Sequence, residues 1–192
     1  MDLIPLIYIE DRKIRIGKTS EPMSVKDFLK DNKDKKKIYI FDLDGINSDK
    51  PNLCTYQRLA SFSDLWVDNG PRNLGDVVDT TMAGATDITL RKNLSPQLHI
   101  SNIREITENN IYEYEELDDI NLFFDSDGIV TFKNKENLDS DFKLKDNIKR
   151  IISKNMTYVY DSDMKDKSFW EKLGVQGLLV DLKNMAEIKD GK

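Results

Sequence analysis

Five times along this chain an apolar, β-prone run ends in aspartate: Ile38 to Asp44, Leu65 to Asp68, Leu122 to Asp127, Thr157 to Asp163 and Leu178 to Asp181. Each run has strand length and little polar interruption, the pattern of a strand buried on both faces. Helix-compatible segments separate several of them, which predicts a parallel sheet or barrel of βα units. In such folds the carboxyl ends of the strands form the working face. The pattern thus predicts a ring of carboxylates where a ligand would bind.

The whole chain, residues 1–192, reads as one domain: it has no low-complexity segment and no linker, and it can bury one substantial core. A (β/α)₈ barrel usually takes about 250 residues, so a barrel here is expected to be shortened. The net charge of −6 argues against binding nucleic-acid phosphates or an anionic membrane surface. Cys54 is the only cysteine, which leaves no internal disulfide and no cysteine metal cluster. No apolar stretch approaches the roughly 20 residues that span a bilayer, and Asp2 and Glu10 interrupt any signal-peptide pattern. The expected location is the cytoplasm.

Leu3 to Ile9 reads as the first strand and Lys13 to Gly17 as a short return. Ser24 is placed to cap a helix through Lys30. Ile38 to Leu43 is the second strand, with a helix from about Leu53 to Phe62 behind it. Leu65 to Asp68 is the third, followed by a helix that Gly84 ends. Asp87 to Leu90 is the fourth. Residues 97–119 stay open between a helix near Ile100 to Glu108 and a strand at the Tyr112 and Tyr114 alternation. Leu122 to Phe124 reads as the fifth strand, with Gly128 to Phe132 continuing extended. A helix over Phe142 to Ser153 should bury Phe142, Ile148, Ile151 and Ile152. Thr157 to Tyr160, a helix around Trp170, and Gly177 to Val180 complete the series.

Gly17-Lys18-Thr19 lacks the glycine five residues earlier that a phosphate loop needs; Arg12 stands there. His99 is the only histidine, so no catalytic triad or histidine-metal pair is available. Phe41-Asp42-Leu43-Asp44-Gly45 resembles the first motif of haloacid-dehalogenase-type phosphohydrolases. That resemblance implies Asp42 as nucleophile, Asp44 as proton donor and both as ligands of Mg²⁺. Ile46 departs from the motif, and no later lysine with a paired-aspartate loop follows. The alternative for every strand-end aspartate is local: short carboxylates accept backbone amides in turns and at helix N-termini.

In order, Ile4-Pro5-Leu6-Ile7, Phe41-Asp42-Leu43-Asp44-Gly45-Ile46 with Pro51-Asn52, Val67-Asp68-Asn69-Gly70-Pro71-Arg72-Asn73, Phe124-Asp125-Ser126-Asp127-Gly128 and Leu173 to Val180 resemble successive strands of the histidine-biosynthesis isomerase family (HisA/HisF type). The divergent archaeal HisA-related (proFAR isomerase-related) branch is the nearest in pattern. The resemblance implies a TIM-type (β/α) barrel and, in the type enzyme, an Amadori rearrangement of a bis-phosphorylated ribotide. Its two acid/base positions fall on Tyr8 and on Phe124 or, one residue later, Asp125. A tyrosine with a pKa near ~10 is a poor base at neutral pH. The family's phosphate-binding glycines are replaced at Asp161-Ser162-Asp163 and Asp181. Gly70 and Arg72 keep half of the double phosphate site.

The expectation is therefore a shortened HisA-like barrel of about seven strands, without the family's isomerisation. It would bind a small ligand, a cation or a partner at an acidic rim, through residues among Asp42, Asp44, Asp68, Gly70, Arg72, Asp127 and Asp161. Two enzymatic alternatives stay open: an isomerase or lyase on a sugar phosphate, with Gly70 and Arg72 on the phosphate and Asp125 as base, and a Mg²⁺-dependent phosphohydrolase at Asp42 and Asp44. No cofactor beyond Mg²⁺ is suggested. A missing strand would leave open edges, which a homodimer could cover.

Overall fold

A computed structural model describes residues 1–32, 36–118 and 125–185. Its elements, in chain order, are β1 (Asp2–Glu10), β2 (Lys13–Arg15), α1 (Val25–Asp31), β3 (Lys37–Asp42), α2 (Leu43–Ser48), α3 (Leu53–Ala60), β4 (Asp64–Asp68), α4 (Leu74–Met82), β5 (Ala85–Leu90), α5 (Ile100–Arg104), β6 (Asn110–Tyr114), β7 (Gly128–Thr131), α6 (Lys135–Ser140), α7 (Phe142–Ile152), β8 (Thr157–Tyr160), α8 (Lys167–Leu173) and β9 (Gly177–Asp181). Nine strands form one sheet, and β2 is the antiparallel one. The other eight run parallel in sequence order, and β1 pairs with β9 from Asp2↔Gly177 to Leu6↔Asp181, so the barrel closes.

Closure corrects the expected count of about seven. The additional strand is β6, in the segment left open, and it carries Tyr112 and Tyr114. The extended Gly128 segment is a barrel strand in its own right, β7. The fifth strand expected at Leu122 to Phe124 lies outside the described residues. With β1 bonded to β9 there is no open barrel edge for a homodimer to cover. Runs of only four or five residues carry little periodic signal, which is why the first was left open and the second was read as a mere extension.

Local chemistry explains the helix boundaries. Ser24 caps α1 by accepting from the Asp27 amide at 3.1 Å. Asn73 and Asp76 form a reciprocal capping box on α4. Gly84, at φ 103°, turns the chain out of α4 in a conformation that favours glycine. In α7 the buried residues include Leu144, Ile148 and Ile151, whereas Phe142 is 85% exposed, contrary to expectation. It is the first helical residue after the Asp141 cap, off the stripe that packs on the barrel.

Two cores result from the strand period of two. Ile7, Ile9, Ile38, Ile40, Leu65 and Val67 face outward and meet the helices. The alternate residues fill the lumen: Ile4, Leu6, Tyr8, Tyr39, Trp66, Tyr112, Val130, Tyr158 and Leu179. Trp66 packs against Tyr112 at 4.0 Å and edge-on to Tyr158 at 4.9 Å, and its indole N–H donates to Thr89 Oγ1 at 2.9 Å. Aromatic side chains thus plug the barrel from wall to wall, and the lumen is a packed core.

Candidate functional site at the carboxyl ends of the strands

The strand-end aspartates do not form an open ring. Alternation along the strands divides them, and each is occupied locally. Asp68 and Asp181 stand in register with lumen residues, Trp66 and Leu179, two positions earlier. Asp42 points the other way and caps α2.

Asp42 is fully buried and accepts from five donors: the amides of Asp44 (3.1 Å), Gly45 (3.2 Å) and Asn52 (2.8 Å), the Asn52 side chain (2.9 Å) and the Tyr56 hydroxyl. Burial raises its carboxyl above the ordinary value, and the hydrogen bonds from Tyr56 and Asn52 oppose that shift. A nucleophile needs a free lone pair aimed at the reacting atom, and this carboxylate has none to offer. Asp44 accepts from the Asp11 amide at 2.8 Å and the Asn52 side chain at 2.9 Å. Among the described residues no group of three or more carboxylate, histidine or cysteine side chains is arranged to hold a metal ion. Asp42 is thus committed to internal donors where the phosphohydrolase reading needs a free nucleophile.

Asp68 is also fully buried. Arg91, the residue after β5, reaches it through Nε–Oδ1 at 2.8 Å and Nη2–Oδ2 at 2.7 Å, and Tyr39 donates to Oδ2 at 2.8 Å. The Arg91 guanidinium lies 3.9 Å from the Tyr114 ring centre and 5.3 Å from that of Phe41. Burial disfavours its charge, but Asp68 more than restores it.

On the other side of the mouth, Tyr8 and Tyr160 each donate to Asp181 Oδ1 at 3.0 Å, with 2.8 Å between the two hydroxyls. The Lys18 amide reaches Oδ2 at 3.3 Å. Burial, and next the Tyr160 hydroxyl, hold the Tyr8 proton far above the ordinary tyrosine range, so Tyr8 is no base. Burial raises Asp161 as well; its Oδ2 accepts the Asp166 amide at 3.2 Å.

The remaining predicted residues disperse. Asp125 is exposed on the approach to β7, and Asp127 is bound to the Ile111 amide (2.7 Å) at the start of β6 and to Arg104. Both precede β7, at its amino end, so neither is placed with Tyr8 at the mouth. Gly70 (φ 62°) makes the tight turn after β4, and its carbonyl accepts from Arg72. Arg72 also donates to the Ile46 carbonyl at 2.7 Å and the Gly45 carbonyl at 3.3 Å. Its fork ties α2 to the β4–α4 loop instead of presenting itself to phosphate.

An open space lies beside the mouth. A cleft of about 840 Å³ runs between the β1–β2 turn and the α2–α3 connection, lined by Asp11, Arg12, Asp44, Ser48, Lys50 and the first turn of α3. Asp11 and Arg12 form a two-residue hairpin turn at φ 51° and 61°, a left-handed backbone uncommon for residues other than glycine. Cys54 lies exposed on α3 in the same cleft. Sequence reasoning missed Arg12, Lys50, Arg91 and Tyr160. The usable signals were a cation immediately after a strand and the repeated Tyr-x-Tyr of β6 and β8.

No family model matches this chain, and no curated protein matches it. Among solved structures it is similar to CdNal from Clostridium difficile, determined in complex with mannosamine, with a TM-score of 0.56 and 15% identity over 95% of this chain and 70% of that one. This is a TIM-type barrel. At that identity the likeness carries the fold alone, and it does not single out the HisA type. No helix among the described residues is long and apolar enough to cross a membrane.

Proposed function

We propose that this chain is a HisA-related barrel that has given up the family's ribotide isomerisation and binds a small polar ligand in the cleft beside its mouth. The observation that carries the reading is Tyr8: at the position where the resemblance implies an acid/base carboxylate, its hydroxyl donates into Asp181 and meets Tyr160. The second carboxylate facing the lumen, Asp68, is equally committed, to Arg91. Among the described residues, the lumen-facing carboxylates at the mouth are consumed in internal pairs, which makes them poor proton acceptors for sugar rearrangement. The order of the matching segments supports the HisA-related assignment, and the net charge of −6 argues against a nucleic-acid or anionic-membrane partner.

The test is direct. Purified protein mixed with the family's bis-phosphorylated ribotide should leave it unconverted. Turnover that survives repeated purification and disappears in Tyr8→Phe would overturn the reading.

A further inference from the structure

The cleft beside the mouth is lined by charges of both signs. Its two cations, Arg12 and Lys50, are exposed and enter no ion pair among the described residues. Asp11 and Asp44 also line it, so it is not simply a cationic patch. Asp44 is already engaged through Oδ2 by the Asp11 amide and the Asn52 side chain. Those two bonds tie the hairpin turn to the α2–α3 connection and fix the width of the cleft. Arg12 occupies a left-handed turn position at φ 61°, and it directly follows the residue whose amide is anchored on Asp44. A guanidinium fork on an anchored turn, with a lysine on the lining of the same cleft, suits a carboxylate or phosphate group. Ser48 and Thr55 add hydroxyl groups to the same lining, suited to a hydroxylated body.

We infer that the cleft between the β1–β2 turn and the α2–α3 connection binds a small hydroxylated oxyanion, its anionic group held by Arg12 and Lys50. The inference rests on the cleft being the ligand site; the charge of the ligand is what it adds. The shared chemistry is the oxyanion, and carboxylate and phosphate forms are separable by experiment.

The experiment titrates the full chain calorimetrically with glycerate, glycerol phosphate, inorganic phosphate and uncharged glycerol. It repeats the titrations with Arg12→Ala, Lys50→Ala and Ser48→Trp, the last placing a bulky ring in the cleft. The expected result is binding of at least one hydroxylated oxyanion, none of glycerol, a loss of about tenfold or more in each cation variant, and abolition by Ser48→Trp. Preference between glycerate and glycerol phosphate assigns the anionic group. Glycerol binding as tightly as the anions, still blocked by Ser48→Trp, would overturn the oxyanion inference and leave the cleft reading standing. Anion binding untouched by Ser48→Trp would overturn both, and silence from all four probes would overturn the oxyanion inference. Circular dichroism of each variant establishes that it is folded.

Discussion

Asp68 and Arg91 meet through two side-by-side hydrogen bonds, 2.8 and 2.7 Å long, at the carboxyl ends of adjacent strands. Both side chains are buried, so each charge depends on the other. Asp68→Asn should cost about 3–5 kcal/mol in denaturant unfolding because it strands a buried guanidinium. The double replacement Asp68→Leu with Arg91→Met should recover most of that loss. A single variant as stable as the parent would mean that water reaches Arg91.

Asp42 gathers five donors, and removing the acceptor orphans them together. Asp42→Ala should destabilise by about 3 kcal/mol or more, and Tyr56→Phe, which withdraws one donor, by about 1 kcal/mol. Unfolding midpoints at constant denaturant slope would provide both numbers. Equal losses would contradict the shared-acceptor arrangement.

The same arrangement predicts indifference to Mg²⁺. A binding ion at about 100 times its dissociation constant would add roughly 2.7 kcal/mol, readable as a thermal shift of a few degrees. The melting temperature should stay unchanged in millimolar-range Mg²⁺. A rise that vanishes in Asp44→Asn would restore the metal site.

Burial raises the Asp181 carboxyl above its ordinary value, against the hydrogen bonds of Tyr8 and Tyr160. The folded protein then keeps that proton at pH values where the unfolded chain, titrating near ~3.9, has released it. The resulting stabilisation is complete below the unfolded value and is lost as pH rises through the folded one. Asp181→Asn cannot titrate, so its stability should gain less than the parent's on acidification from about pH 7 to about pH 4. Asp42 and Asp161, also raised by burial, keep a residual slope of the same sign. Parallel curves for parent and variant would show that Asp181 titrates alike in both states.

Most of the barrel was legible because β3, β4, β8 and β9 carry apolar residues on both faces, the lumen side as well as the helix side. β6 was obscured: Glu113 points outward to Lys92 between two lumen tyrosines, which breaks the apolar run. At the mouth, the aspartates were visible in sequence but their neutralisation was not. Asp68 finds Arg91 on the next strand and Asp181 finds Tyr8 at the opposite end of the barrel chain. A carboxylate's partner is a tertiary fact, and a lone sequence carries the acid without its answer.

Trp66 occupies the middle of the lumen with no exposed surface. Trp66→Ala should cost about 3–5 kcal/mol through the cavity it leaves. Trp66→Phe should cost less, losing chiefly the bond to Thr89. Because Trp170 is the only other tryptophan, fluorescence unfolding of Trp66→Phe reports the helical shell by itself.

The pairing of β1 with β9 joins residues far apart in sequence, Asp2 with Gly177. During synthesis the seam therefore cannot form until β9 has emerged from the ribosome. Until then the growing sheet presents two raw edges, rich in isoleucine and tyrosine, to whatever strands lie nearby. Contacts so distant in sequence also slow the search for the native state. The ring that makes the finished protein edge-free makes its infancy the hazardous period, and variants weakening β9 should first announce themselves as poor yield, before any change in the folded molecule.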